Sequence, residues 1–261
     1  MNKKNIGGVR AVAAGLVASL GLALGLAYGA QAQQRSLADT LSRNQVEGEA
    51  AIYETADSHY VFVLDRTGEP PLLRFANSFE VFVLSRVPAS RGDEILRTDA
   101  GDDLLRVTPL GGVTLYPREW PTGLPAARIA AADPLPRLRG VDLLAALDEL
   151  RMAAAGADID APPAASQAAT LSAFGAIAES ERSRGDLLAD AARVTAEALD
   201  RVRLSEEGSA KVASMTRIQF EYGQSADARF SGGVLTVQVV SGAGYAGRPS
   251  SLRVADSLTD E

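Results

Sequence analysis

The chain has no cysteine and a single histidine, His59, in 261 residues. The first absence removes disulfides, thiolate nucleophiles and cysteine-ligated metals. The second leaves a Ser–His–Asp arrangement only one candidate base and leaves histidine-rich zinc sites without their ligands. Neither G-x-S-x-G nor S-x-x-K occurs, so two frequent serine-hydrolase signatures are missing. Lysine is nearly absent: after Lys3 and Lys4 only Lys211 remains. Positive charge is therefore carried by arginine, whose planar guanidinium suits paired contacts with anions. The balance is acidic, with 33 Asp and Glu against 26 Lys and Arg and a formal charge of −7. That argues against nucleic acid and anionic lipid surfaces as partners.

What is present begins with an export pattern. Lys3, Lys4 and Arg10 precede or open an apolar run from Ala11 to Ala27, and Ala30-Gln31-Ala32 supplies an A-x-A site. The pattern predicts a cleavable Sec-type signal peptide over 1–32, a periplasmic destination and no stable membrane anchor afterwards. Loss of Lys3, Lys4 and Arg10 leaves 23 basic residues against 33 acids, a net charge of −10. The remaining chain is long enough to bury roughly 70% of its unfolded surface, so a core without disulfides suffices. Residues 33–47 are polar and read as a flexible arm.

Residues 48–117 read as a β-rich core. Short apolar runs begin at Ala51, Tyr60, Leu72, Phe79, Asp93, Asp103 and Val113. They are separated by turn signals such as Thr67-Gly68, Asn77-Ser78 and Ala100-Gly101. Gly111-Gly112 predicts a two-residue hairpin, because primed turns need positive φ. Val61-Phe62-Val63-Leu64 echoes Val81-Phe82-Val83-Leu84, as a meander under repeated packing demands would. Ala51 to Thr55, the Arg91-Gly92-Asp93 turn and Leu105 to Leu115 resemble a family of exported alphaproteobacterial proteins described as a domain of unknown function. The resemblance covers mainly residues 48–120. It implies export and supplies no activity, cofactor or catalytic residue.

Five prolines between Pro117 and Pro136 predict a connector over 118–140. Trp120, the only tryptophan, sits in it, either pinning the connector to the sheet or offering a ring to a ligand. Residues 141–208 predict a helical hairpin. The first helix spans Val141 to Ala155, followed by a loop from Asp158 to Ser166. The second runs from Ser166 to Glu207, with a seam through Leu171, Phe174, Ala178, Glu181, Gly185, Leu188, Ala192, Thr195, Leu199 and Val202. Glu181 and Gly185 weaken that seam, so a kink or break is expected near Ser183 to Asp186, where Asp186 can cap a restarted helix. Ala-rich faces also make a second copy of the chain a candidate partner. Residues 209–261 return to strand: Ile218, Phe220 and Tyr222 alternate with Arg217, Gln219 and Glu221. Gln224 to Ala228 reads as a turn, Gly233 to Val240 as a strand and Leu252-Arg253-Val254 as a last short strand.

Gly242 to Gly247 matches G-x-G-x-x-G, but Arg248-Pro249 follows where a dinucleotide site needs a helix, so a flexible glycine loop is expected. No cofactor and no metal are expected. Asp93, Glu94, Asp99, Asp102 and Asp103 lack calcium-loop spacing and read as turn stabilisers and a solvated face. Arg74, Arg97 and Arg106 recur at like positions in their strands and, with Trp120, are the candidate ligand-binding residues for an anion or polysaccharide.

The sequence thus predicts an α+β fold. An antiparallel β-meander or partly closed barrel carries a helical hairpin, inserted or packed beside it. The expected function is a non-enzymatic binding or interaction module of the cell envelope, its partner an envelope protein or polysaccharide. A hydrolase using carboxylates or a serine outside the known motifs is the alternative.

Overall fold

Nine short strands come first in the chain, and they close on themselves. The computed structural model describes residues 48–154, 157–160 and 179–259. The export pattern, the arm and the seam residues Leu171, Phe174 and Ala178 lie outside them. The strands are β1 (Ala50–Thr55), β2 (Val61–Asp65), β3 (Leu72–Phe75), β4 (Phe82–Val83), β5 (Ser85–Pro88), β6 (Glu94–Arg97), β7 (Asp103–Val107), β8 (Val113–Leu115) and β9 (Leu124–Ala131). They pair antiparallel in the order β4-β3-β2-β1-β9-β8-β7-β6-β5. The two outermost strands, β4 and β5, are separated in sequence by Leu84 alone, so the chain bridges its own sheet edges. The result is a nearly closed antiparallel barrel, which hides edge groups that would otherwise invite another strand.

Alternation builds the interior. Tyr53, Phe62, Leu64, Leu73, Leu96, Leu105 and Leu115 are buried on successive strands. Leu84 is fully buried and its N–H donates to the Pro71 carbonyl at 2.9 Å. Leu84→Ala is expected to cost about 2–5 kcal/mol, the range for a leucine deleted from a closed core. Urea unfolding with an unchanged m-value would measure it.

Two sequence expectations change here. The Thr108 N–H donates to Gly112, and Gly111 sits at φ 83°. The turn is thus a three-residue loop, Pro109 to Gly111, rather than a two-residue one. More consequentially, the proline-rich segment contains β9, which pairs with both β1 and β8. Pro125 is tolerated because its carbonyl, accepting from Ala56 at 2.9 Å, faces the end of β1 beyond the last ladder pair, Thr55 and Ala126. Its missing N–H forgoes only a terminal bond.

The second part comprises α1 (Leu143–Ala153), β10 (Asp158–Asp160), α2 (Glu179–Val202), α3 (Glu206–Ala213), β11 (Arg217–Tyr222), β12 (Asp227–Ser231), β13 (Val234–Val239) and α4 (Ser251–Thr259). Its strands form a separate mixed sheet, β10-β11-β13-β12, with β11 parallel to β10 and β13 and with β12 antiparallel to β13. β10 and β12 occupy segments expected as loop and turn. Asp142 caps α1 through the N–H groups of Leu144 and Ala145. Helix α1 packs on α2, giving the helical pair beside the barrel that the apolar spacing predicts.

Helix α2 runs continuously through Ser183–Asp186, so the break that the sequence allowed does not occur. The Asp186 carboxylate does not cap a restarted helix. It accepts the Val141 N–H at 3.0 Å, ahead of α1. Beyond it Leu188, Ala192, Thr195 and Leu199 are buried on the expected seam, and Leu187, Ala189, Ala191 and Val194 are buried on other faces. A helix covered on several sides keeps its shape from packing rather than propensity. The segment Leu252-Arg253-Val254 is likewise helical. Val254, Ala255 and Leu258 are buried at spacings of one and three, and the Ser250 hydroxyl caps α4 by accepting the Arg253 N–H at 3.1 Å. Among the described residues no helix is long and apolar enough to cross a membrane.

Candidate functional site

Where the barrel meets the helices, several charged groups are buried together. Arg248, just before α4, is 3% exposed and Glu80, just before β4, is 0% exposed. The Arg248 Nε donates to Asp190 Oδ2 of α2 at 2.6 Å, and its terminal nitrogen donates to the Val81 carbonyl at 3.1 Å. Glu80 Oε1 lies 3.6 Å from the same guanidinium. Both Glu80 oxygens are held by Ser251, one by its N–H at 2.8 Å and one by its hydroxyl at 2.5 Å. Asp99 accepts the neighbouring Ser250 N–H at 2.7 Å. Two barrel carboxylates therefore dock on the start of α4, where the helix dipole favours negative charge.

Burial pushes the Glu80 carboxyl up to about 7, and the Glu197 carboxylate adds to this, against the opposing pull of Arg248 and Ser251. For Arg248 burial works against the charge, but Asp190 and Glu80 outweigh it and hold the guanidinium above its ordinary value.

Two cavities flank this joint. The first, about 290 Å³, is lined by Ser85, Arg97, Asp99, Tyr245, Arg248 and Ser250, among others. Tyr245 belongs to the glycine loop read above as merely flexible, and its hydroxyl is pushed up by burial and by Asp190, with Arg248 and Arg74 pulling it back. Arg248 lies 5.9 Å from the ring centroid. Gly247 fits closely between Val240 and α2: a Cβ there would come within 2.4 Å of the Val240 carbonyl oxygen and 3.2 Å of the Leu187 side chain. The second cavity, about 260 Å³, lies beside α2 and α4 with Phe75, Phe82 and Tyr116 among its walls.

The four candidate residues separate. Arg97 lines the first cavity, with its Nε on Asp103 at 2.7 Å, and Arg74 acts electrostatically on Tyr245 there. Arg106 is tied to Asp93 through its Nε at 2.6 Å and lines neither cavity. Trp120 is 48% exposed on the turn from Pro117 to Gly123, a turn whose Pro117, Arg118 and Glu119 border the second cavity. The acidic group is only partly a solvated face: Asp99 and Asp103 are exposed, while Glu94 accepts from Arg66 and Arg86, and Asp102 from Arg118. Asp57 accepts the His59 N–H at 3.1 Å in a turn, and the His59 ring stands edge-on to Tyr60.

Sequence reasoning missed Glu80, Asp190, Tyr245 and Arg248. Glu80 carried a signal, since it interrupts an apolar run. Arg248 carried none, because its partners come from two distant segments.

No curated protein and no solved structure matches the chain. Residues 33–258, well beyond the span from 48 to 120 that carried the resemblance, match the model of the family described as Domain of unknown function (DUF4908), and the chain belongs to that family.

Proposed function

We propose that the protein is a non-enzymatic binding module of the cell envelope, exported through residues 1–32, which takes a small anion in the Tyr245 cavity. The charge, apolar run and A-x-A site of the first 32 residues support the location. The observation that carries the binding reading is a cavity whose wall brings Arg97, Tyr245 and Arg248 together, with the charge of Arg74 in electrostatic reach of the tyrosine. Asp99, the carboxylate on the same wall, is already committed to the Ser250 N–H. A ligand carboxylate or phosphate would share the Arg97 guanidinium, whose Nε donates to Asp103, and meet Tyr245 in the same cavity, while Arg248 stays on Asp190. The hydrolase reading is weaker. Its most shielded carboxylates, Glu80 and Asp190, are tied to Arg248 and lie away from solvent.

The test is calorimetric titration of the full chain with inorganic phosphate, citrate and acetate. Arg74→Ala with Arg97→Ala is expected to weaken anion binding about tenfold or more, as loss of charge-assisted bonds does. Arg106→Ala is expected to leave it unchanged. Equal binding by the double variant, or no saturable binding of any of the three anions, would overturn the reading.

A further inference from the structure

The second cavity differs from the first in chemistry. Tyr60, Phe75, Phe82 and Tyr116 give it aromatic walls, and all but Phe82 keep part of their surface exposed. Tyr60 and Phe82 both lie about 6.0 Å from Phe75, ring to ring, so the faces are fixed by mutual packing. Around them stand Asn77, Ser78, Glu119, Glu197 and Arg201, a rim of donors and acceptors.

The cations on this rim are already committed. Arg118 donates to Asp102 and Asp256, each at 2.6 Å by its shortest bond, and Arg201 donates to Glu197 at 3.2 Å and to the Ser251 hydroxyl at 3.1 Å. An anionic ligand would have to break these pairs and would meet Glu119 and Glu197. A purely apolar ligand would strip water from Asn77, Ser78 and the carboxylates without replacing its bonds. A neutral ligand with apolar C–H faces and many hydroxyls satisfies both halves, because each hydroxyl donates and accepts. The volume, about 260 Å³, is at the small end for ligand sites and suits one ring rather than a chain.

We propose that this cleft binds a neutral saccharide, one sugar ring lying on the aromatic wall with its hydroxyls on Asn77, Glu197 and Arg201. The site is separate from the anion cavity, although the two approach the same buried residues: Arg201 reaches Ser251, and Ser251 reaches Glu80. Trp120, on the bordering turn, provides a reporter.

The experiment titrates the full chain with N-acetylglucosamine and with chitotriose. It follows Trp120 fluorescence and saturation transfer to the sugar protons. Transfer to ring C–H protons is expected, with the trimer showing whether a glycan end is accepted as well as a free sugar. Tyr60→Leu keeps apolar volume but removes a ring, and is expected to weaken binding about five- to tenfold. Asn77→Ala is expected to weaken it with no change in melting temperature. The Arg74→Ala, Arg97→Ala variant should bind sugar as the unaltered chain does, which separates this site from the anion cavity. Absence of saturation transfer from both sugars, unchanged affinity in Tyr60→Leu, or competition by inorganic phosphate would overturn the proposal.

Discussion

Arg248→Met is expected to cost about 3–5 kcal/mol of folding stability at neutral pH, the range for breaking a buried ion pair from one side. The guanidinium stands between Asp190 at 2.6 Å and Glu80 at 3.6 Å, and it also holds the Val81 carbonyl at 3.1 Å. Methionine fills the space but leaves a carboxylate on α2 and another beside β4 without their counter-charge. Arg248→Lys keeps the charge but cannot span Asp190 and Val81 with one planar fork, so an intermediate loss is expected. Adding Asp190→Asn to Arg248→Met should recover part of the cost, because one stranded charge disappears. Urea unfolding of these three variants, of Asp190→Asn alone and of the unaltered chain measures this as a double-mutant comparison. A loss under 1 kcal/mol for Arg248→Met would mean that the joint is wet and the network peripheral.

Glu80→Gln is expected to behave oppositely and to depend on pH. In the unfolded chain Glu80 releases its proton near the ordinary value of 4.5, and in the native protein near 7. Between those values the native state binds more protons than the unfolded one. The contribution of Glu80 is therefore fully present below pH 4.5 and falls as pH rises to about 7. The swing amounts to about 3 kcal/mol. Glutamine cannot titrate, and its amide oxygen can still accept from Ser251. The stability of Glu80→Gln relative to the unaltered chain should thus rise by about that amount from pH 4.5 to 7.5. The difference between the two proteins is the quantity to measure, since other carboxylates titrate equally in both. A flat difference would show that Glu80 is ionised throughout, with Arg248 outweighing its burial.

The barrel was legible because its strands are short, apolar in alternation and fenced by glycine, and Leu105, Val107, Val113 and Leu115 show the two-residue period directly. Closure was less legible. It depends on Leu84 joining two sheet edges and on β9, whose Pro125 sits where a missing donor costs little. Local chemistry also misled at α2. Gly185 and Asp186 look like a break, yet the helix continues through them, with Leu187 and Leu188 buried just beyond. Arg74, Arg97 and Arg106 share their recurrence in strands, yet Arg97 ends on Asp103 and Arg106 on Asp93. Recurrence places a residue on a face and says nothing of which carboxylate waits there. The rest of the site comes from Arg248, Asp190 and Tyr245, which meet only after the chain folds back from α2 and β13 onto the barrel.

Anion entry at the seam between barrel and helices, beside the buried joint, is tested by a map of backbone amide shifts as the full chain is titrated with citrate. Saturable shifts are expected at Ser85, Arg97, Asp99, Tyr245 to Arg248 and Ser250, and nowhere else. Shifts centred on Arg106 and Asp93, or no saturable shift anywhere, would contradict it.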